Sequence, residues 1–103
     1  MSTATTMSPA ADVGAIRRLA DLLKMGSDPT RLGIALALRE GGKATADLAE
    51  GLGVERMSLA QNLQLLRAAG LVESDRAGGR STHGLTEKGR MLLAAVERLD
   101  GRS

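Results

Sequence analysis

Leucines recur at helical spacing in five separate stretches of the chain, and glycine, proline or a capping residue divides each stretch from the next. In Val13 to Met25, the positions Val13, Ala15, Ile16, Leu19, Ala20, Leu22 and Leu23 cover about half of a helical wheel. That is wider than the roughly 100° stripe a single core contact uses, so packing is expected on both flanks. Asp12 suits the N-cap of this helix. Gly26-Ser27 breaks it, and Asp28-Pro29 starts the next, with the proline at the first helical position, where its missing N–H costs nothing. The second helix is expected over Pro29 to Glu40, with Leu32, Ile34, Leu36 and Leu38 pointing nearly all round, as in a central buried helix.

Gly41-Gly42 stops that helix. Lys43-Ala44 suits a minimal strand, and Thr45 suits the cap of a short third helix, Ala46 to Leu52. Gly53 turns the chain into a fourth helix, residues 55–69, which ends at Gly70. The segments 71–76 and 80–85 read as two strands of a hairpin around the tip Ala77-Gly78-Gly79. Thr86 caps a final helix, Glu87 to Leu99, in which Met91, Leu92, Ala95, Val96 and Leu99 span about 140° and Leu93 widens the arc. Two short helices joined by a glycine turn and followed by a hairpin make a helix-turn-helix with a wing. The expected fold class is therefore mainly α with a small β-hairpin wing, about five helices over residues 12–100, preceded by a disordered tail at 1–11.

The fourth helix carries the candidate chemistry. Leu63 and Leu66 fall within about 40° of Leu59, with Leu65 and Ala69 nearby, and form its buried side. The arc from about 60° to 200° holds Arg56, Met57, Ala60, Gln61, Gln64, Arg67 and Ala68 instead of the Glu and Lys pairs of an ordinary surface helix. Glutamine can bond adenine N6 and N7 together, arginine can bond guanine O6 and N7, and alanine admits close approach or touches a thymine methyl. Ser58, near the helix N-terminus, can bond a phosphate oxygen. An uncharged but solvated surface is the bland alternative for this helix alone, and an ordinary charged turn is the bland alternative for the hairpin. The two together favour DNA. Arg76 and Arg80 flank the glycine tip, where cations can straddle a backbone or a narrow minor groove.

Composition narrows the function classes. The chain has 103 residues, no Phe, Tyr or Trp and no Cys, so the core is aliphatic, and modules that stack RNA bases on aromatic rings are disfavoured. Disulfides, thiolate metal sites and a cysteine nucleophile are absent together. One histidine, no cysteine and no glycine-rich phosphate loop ending in Lys-Ser or Lys-Thr argue against an enzyme. The net charge of +2 is small, but from Arg76 to Arg90 four cations (Arg76, Arg80, Lys88, Arg90) face one anion (Glu87), a local +3. No signal-like start or membrane-length apolar run is present, and a cytoplasmic protein without a membrane partner is the expectation.

The stretches "LADLLKMGSDPTRLGIALALREGG" and "TADLAEGLGVERMSLAQNLQLLRAAGLVESDRAGGR" resemble the ArsR-type winged-helix transcription regulators. The likeness lies in the D-P-T-R-L helix start, the L-A-x-x-L-G turn and the L-x-x-L-R-x-A-G-L-V exit into the wing, over about residues 16 to 85. The segment "LTEKGRMLLAAV" looks more like the MarR and PadR groups. The resemblance implies a homodimeric regulator of double-stranded DNA, usually a repressor, dimerising through its first and last helices. Those are the helices whose apolar arcs are too wide for one contact. Val13, Ile16, Leu19, Leu23, Leu92, Ala95, Val96 and Leu99 are the expected dimer residues, and Thr45, Arg56, Met57, Ser58, Ala60, Gln61, Gln64, Arg76, Arg80 and Ser81 the expected DNA-binding ones.

Many relatives of that type sense metals through cysteines or through His and carboxylates, which this chain departs from. A zinc site needs about four ligands, so no metal or other cofactor is expected. His83 on the second wing strand suits a structural or DNA-backbone role, and Glu97 and Asp100 at a helix end are usually solvated. Asn62, inside the apolar arc, needs a hydrogen-bond partner, expected in the wing or third helix, and Gly33 and Gly89 suit close helix crossings. A winged helix that binds a partner protein instead of DNA uses the same scaffold, and the modest net charge leaves both readings open.

Overall fold

A computed structural model describes residues 12–101; the tail expected to be disordered lies outside the described residues. The elements follow in the order α1 (Val13–Met25), α2 (Pro29–Leu38), β1 (Lys43–Ala44), α3 (Thr45–Leu52), α4 (Arg56–Ala68), β2 (Val72–Ala77), β3 (Arg80–Leu85) and α5 (Glu87–Asp100). The strands form one antiparallel sheet in the order β1-β3-β2. Among the described residues no helix is long and apolar enough to cross a membrane.

Local chemistry accounts for most boundaries. The Asp12 carboxylate accepts from the Gly14 amide at the start of α1, and the Asp28 carboxylate accepts from the Arg31 amide at the start of α2, just before Pro29. The end of α2 lies two residues short of the expected Glu40. There the Arg39 and Gly41 amides bond the Leu36 and Leu38 carbonyls three residues back, a tightening that closes the last turn. Thr45 does not cap α3 as expected: Ala44 holds the cap position without a side-chain bond, and Thr45 is the first helical residue. At the hairpin tip Gly78 and Gly79 take φ of +60° and +77°, the left-handed pair that a two-residue turn between twisted strands requires.

The core is built on α2. Ile34 and Leu38 meet Leu48 of α3, Leu59, Leu63 and Leu66 of α4, Leu71, Val72 and Leu85 at the base of the wing, and Leu93 of α5. Each such aliphatic side chain contributes roughly 1.5–3 kcal/mol on burial, and the chain has no aromatic ring to add more. Leu36 faces solvent, so α2 is central without being enclosed on every side.

Thr86 locks α5 to this core. Its hydroxyl accepts from the Gly89 amide and donates to the Gly70 carbonyl, while its own amide donates to Leu71. The lock brings the first turn of α5 down onto the backbone leading into β2. Gly89 was expected at a helix crossing, but what it accommodates is that backbone: a Cβ there would collide with the Leu71 carbonyl oxygen and the Leu85 side chain. Gly33 does sit at a helix crossing, against Leu52 of α3. Gly89→Ala is therefore expected to destabilise the fold by about 3 kcal/mol, the upper end of overpacking, although Ala favours an exposed helix by about 1 kcal/mol. A urea titration measures the difference.

Candidate nucleic-acid interface

Burying Leu59, Leu63 and Leu66 turns the opposite side of α4 outward. Arg56, Met57, Ala60, Gln61 and Gln64 are all exposed there, with Ser58 half-buried in the first turn. A second contact anchors the helix. Arg31 of α2 donates from Nη1 to Asn62 Oδ1 (3.2 Å), from Nη2 to the Lys24 carbonyl (3.0 Å) and from Nε to the Met25 carbonyl (3.0 Å). One guanidinium thus joins the end of α1 to α2 and α4, using the fork that a lysine lacks. Asn62 completes its bonding by donating Nδ2 to the Ser58 carbonyl (2.9 Å). Its partner is therefore on α2, in place of the wing or third helix expected from sequence.

The wing stands beside α4. A cleft of about 290 Å³ opens between them, lined by Ala44, Thr45 and Ala46, by Arg56, and by Gly79, Arg80 and Ser81. It brings together Arg56 and Arg80, which are 24 residues apart in sequence (80 − 56 = 24), at a polar opening near the N-terminal ends of α3 and α4. Two cations lining one polar opening suit an anionic oxygen. The wider +3 cluster does not converge on this opening. Lys88 donates to the Ala69 carbonyl (3.1 Å) and Arg90 to the Leu85 carbonyl (2.7 Å), so both serve the junctions around the wing's base and leave Arg76 and Arg80 as its cations.

Beneath the wing, His83 is 4% exposed and bonded through both ring nitrogens. Nδ1 lies 2.6 Å from Ser74 Oγ of β2, and Nε2 lies 2.8 Å from Thr45 Oγ1 of α3. Ser74 Oγ also accepts from Arg67 Nη1 of α4 (3.1 Å). The Thr45 hydroxyl is thereby committed within the protein. Burial first, and the nearby Arg67 charge second, hold the imidazole below its ordinary pKa.

The model of a helix-turn-helix domain matches residues 27–75. The HTH-type transcriptional regulator NmtR of Mycobacterium tuberculosis is 37% identical over 87 residues, 82% of this chain and 72% of that protein. The homodimeric winged helix-turn-helix DNA-binding domain of Mb0332 from Mycobacterium bovis, a possible ArsR-family transcriptional regulator, superposes with a TM-score of 0.79 at 27% identity, over 93% of this chain and 89% of that one. The chain belongs to the ArsR-type winged helix-turn-helix family. Another structural neighbour of this ArsR-type chain is the transcriptional repressor BigR from Xylella fastidiosa, with a TM-score of 0.75 and 31% identity over 90% of this chain and 96% of that one.

Against that family frame, α1 is the conspicuous element. It contains no buried residue, and Val13, Leu19 and Leu23 are 74%, 61% and 70% exposed. Leu99 on α5 is 86% exposed, Ala95 is exposed and Val96 is half-buried, whereas Leu92 packs partly on the chain's own core. Glu97 pairs with Arg39, the residue just past α2, and among the described residues no group of three or more His, Asp or Glu side chains is placed to hold a metal. Sequence reading missed the bonds of Arg31 and, beyond its expected cap, the bond from the Thr86 hydroxyl to the Gly70 carbonyl. Arg31 had one signal, its place within D-P-T-R-L, three residues after the capping Asp28.

Proposed function

We propose that this ArsR-type chain is a homodimeric DNA-binding transcriptional regulator, a repressor, that reads the major groove with α4 and the backbone or minor groove with its wing. The observation that carries this reading is the outward array of Arg56, Met57, Ala60, Gln61 and Gln64 on a helix whose other side is pinned by three buried leucines, with Arg80 across the adjoining cleft. The array supplies bidentate donors and acceptors for base edges. The cleft supplies charge for phosphates. NmtR is named as a transcriptional regulator, BigR as a repressor and the Mb0332 domain as homodimeric and DNA-binding, which supports the same reading here.

Dimerisation follows from the exposed apolar side of α1. A helix that touches its own chain's core only at Leu22 and Met25, and has no fully buried residue, gains stability from a partner surface. Val13, Ile16, Leu19 and Leu23, with Ala95, Val96 and Leu99 of α5, offer that surface to a second copy.

DNA binding is tested by its salt dependence. A dimer that neutralises about eight phosphates loses affinity with a slope of log K against log salt near −7; a salt-independent interaction would indicate a protein-binding winged helix instead. On duplexes recovered by selection from random sequence, Gln61→Ala or Gln64→Ala is expected to relax preference at one base position by about 1–3 kcal/mol, whereas Arg80→Ala weakens all sequences alike. Equal effects from all three substitutions would count against base reading by α4. For assembly, Leu19→Glu combined with Leu99→Glu is expected to give folded monomers by sedimentation, and an unchanged dimer would refute the assigned surface.

A further inference from the structure

The chain of bonds from Arg67 through Ser74 and His83 to Thr45 joins α4, β2, β3 and α3, the parts that frame the candidate DNA surface. Thr45 also lines the cleft in which Arg56 and Arg80 converge. We propose that His83 is a positioning residue with proton control: neutral, it ties the wing to α3 and α4, and protonated, it releases the wing and weakens the hold on DNA. Its effect on affinity rests on the DNA-binding reading; the tie itself does not.

Hydrogen-bond accounting supports this. Arg67 donates to Ser74 Oγ, which leaves the serine hydrogen for Nδ1 of a neutral ring, while Nε2–H donates to Thr45 Oγ1. Both ring nitrogens, the Ser74 hydroxyl and the guanidinium then have partners. A proton on Nδ1 turns the serine hydrogen away and sets two cations, the Arg67 guanidinium and the imidazolium, on the one Ser74 oxygen, whose two lone pairs can accept both only by drawing the like charges together. The ring is 4% exposed, so little water screens that repulsion at the imidazole, while the exposed Ser74 turns its hydrogen to solvent.

The surrounding charges do not neutralise an imidazolium. Arg67 is a cation, and Lys43 stands directly across from His83 on β1. Glu73 and Asp75 flank Ser74 on β2, so strand alternation sends them to the other face. Asp47 of α3 lies two residues beyond Thr45, about 200° round the helix. His83 is the one histidine of the 103 residues and there is no cysteine, so apart from the chain terminus it is the side chain whose ordinary titration falls between about pH 5 and 8. Because its folded pKa is lowered, the folded state binds fewer protons than the unfolded one as pH falls below about 6.5. Stability is full above that value, declines toward the folded pKa and levels off beneath it.

The test uses the whole chain in two arms. In the DNA-free protein, NMR follows the His83 ring while hydrogen exchange follows residues 43–45 and 72–85 from about pH 7.5 to 5. Exchange corrected for its intrinsic pH dependence is expected to accelerate with the ring's own midpoint, which lies below the ordinary value. His83→Gln removes that coupled midpoint, and Ser74→Ala raises exchange at both ends of the range with the ring still present. A ring that titrates while the wing stays protected overturns the proposal. In the second arm, affinity for a mixed-sequence duplex at constant salt is expected to fall about tenfold across the transition and to become flat with pH in His83→Gln. Affinity that ignores the ring's titration overturns the positioning role. Failure to bind duplex at any pH counts against the DNA-binding reading alone, since the first arm decides the tie without DNA.

Discussion

The packing of Leu59, Leu63 and Leu66 on Ile34 and Leu38 decides which way α4 faces, and everything outward follows from it. Without an aromatic ring anywhere in the sequence, the core has no large side chain to hold α4 by area alone. Close aliphatic packing takes that part, and Arg31 supplements it by holding Asn62 in an otherwise apolar seam. A rotation of α4 by about one residue, 100°, would bury glutamine and expose leucine. The polar array is thus a consequence of the core as much as of its own residues.

The same scarcity of buried surface explains the two ends of the chain. A domain of about this size buries only a modest share of its area, and here α2, α4 and the base of the wing hold most of the buried side chains. α1 touches the core chiefly at Leu22 and Met25 and is held at its end by Arg31, leaving its other apolar positions uncovered. A second copy that covers α1 and α5, as proposed above, would complete the hydrophobic burial.

Much of this was legible in the residues. Caps and breakers gave both ends of α1 and the start of α5, because Asp12, Gly26 and Thr86 act on their own neighbours. The outward side of α4 was legible from leucine spacing, since one wheel sorts both faces, except that Leu65, grouped with the buried side, lies at its edge and is 46% exposed. What was hidden depended on contacts across space. Arg31 and Asn62 are 31 residues apart, Thr45 and His83 are 38 apart, and no local pattern announces either bond. Thr45 looked like a cap because it precedes an apolar run, yet a buried imidazole claimed its hydroxyl. The basic cluster misled for the opposite reason: proximity in sequence put Lys88 and Arg90 with the wing arginines, but backbone carbonyls drew them to its base.

Reading helix, wing and dimer surface form one device only if the two copies of α4 are set at the spacing of successive major grooves. The absence of native cysteine makes this directly measurable, because Gln61→Cys carries a single nitroxide per chain. Pulsed electron paramagnetic resonance on the DNA-free protein is predicted to give a narrow distance distribution centred near 34 Å, one helical repeat. No dipolar coupling, or two labels held face to face at a much shorter distance, would contradict the account.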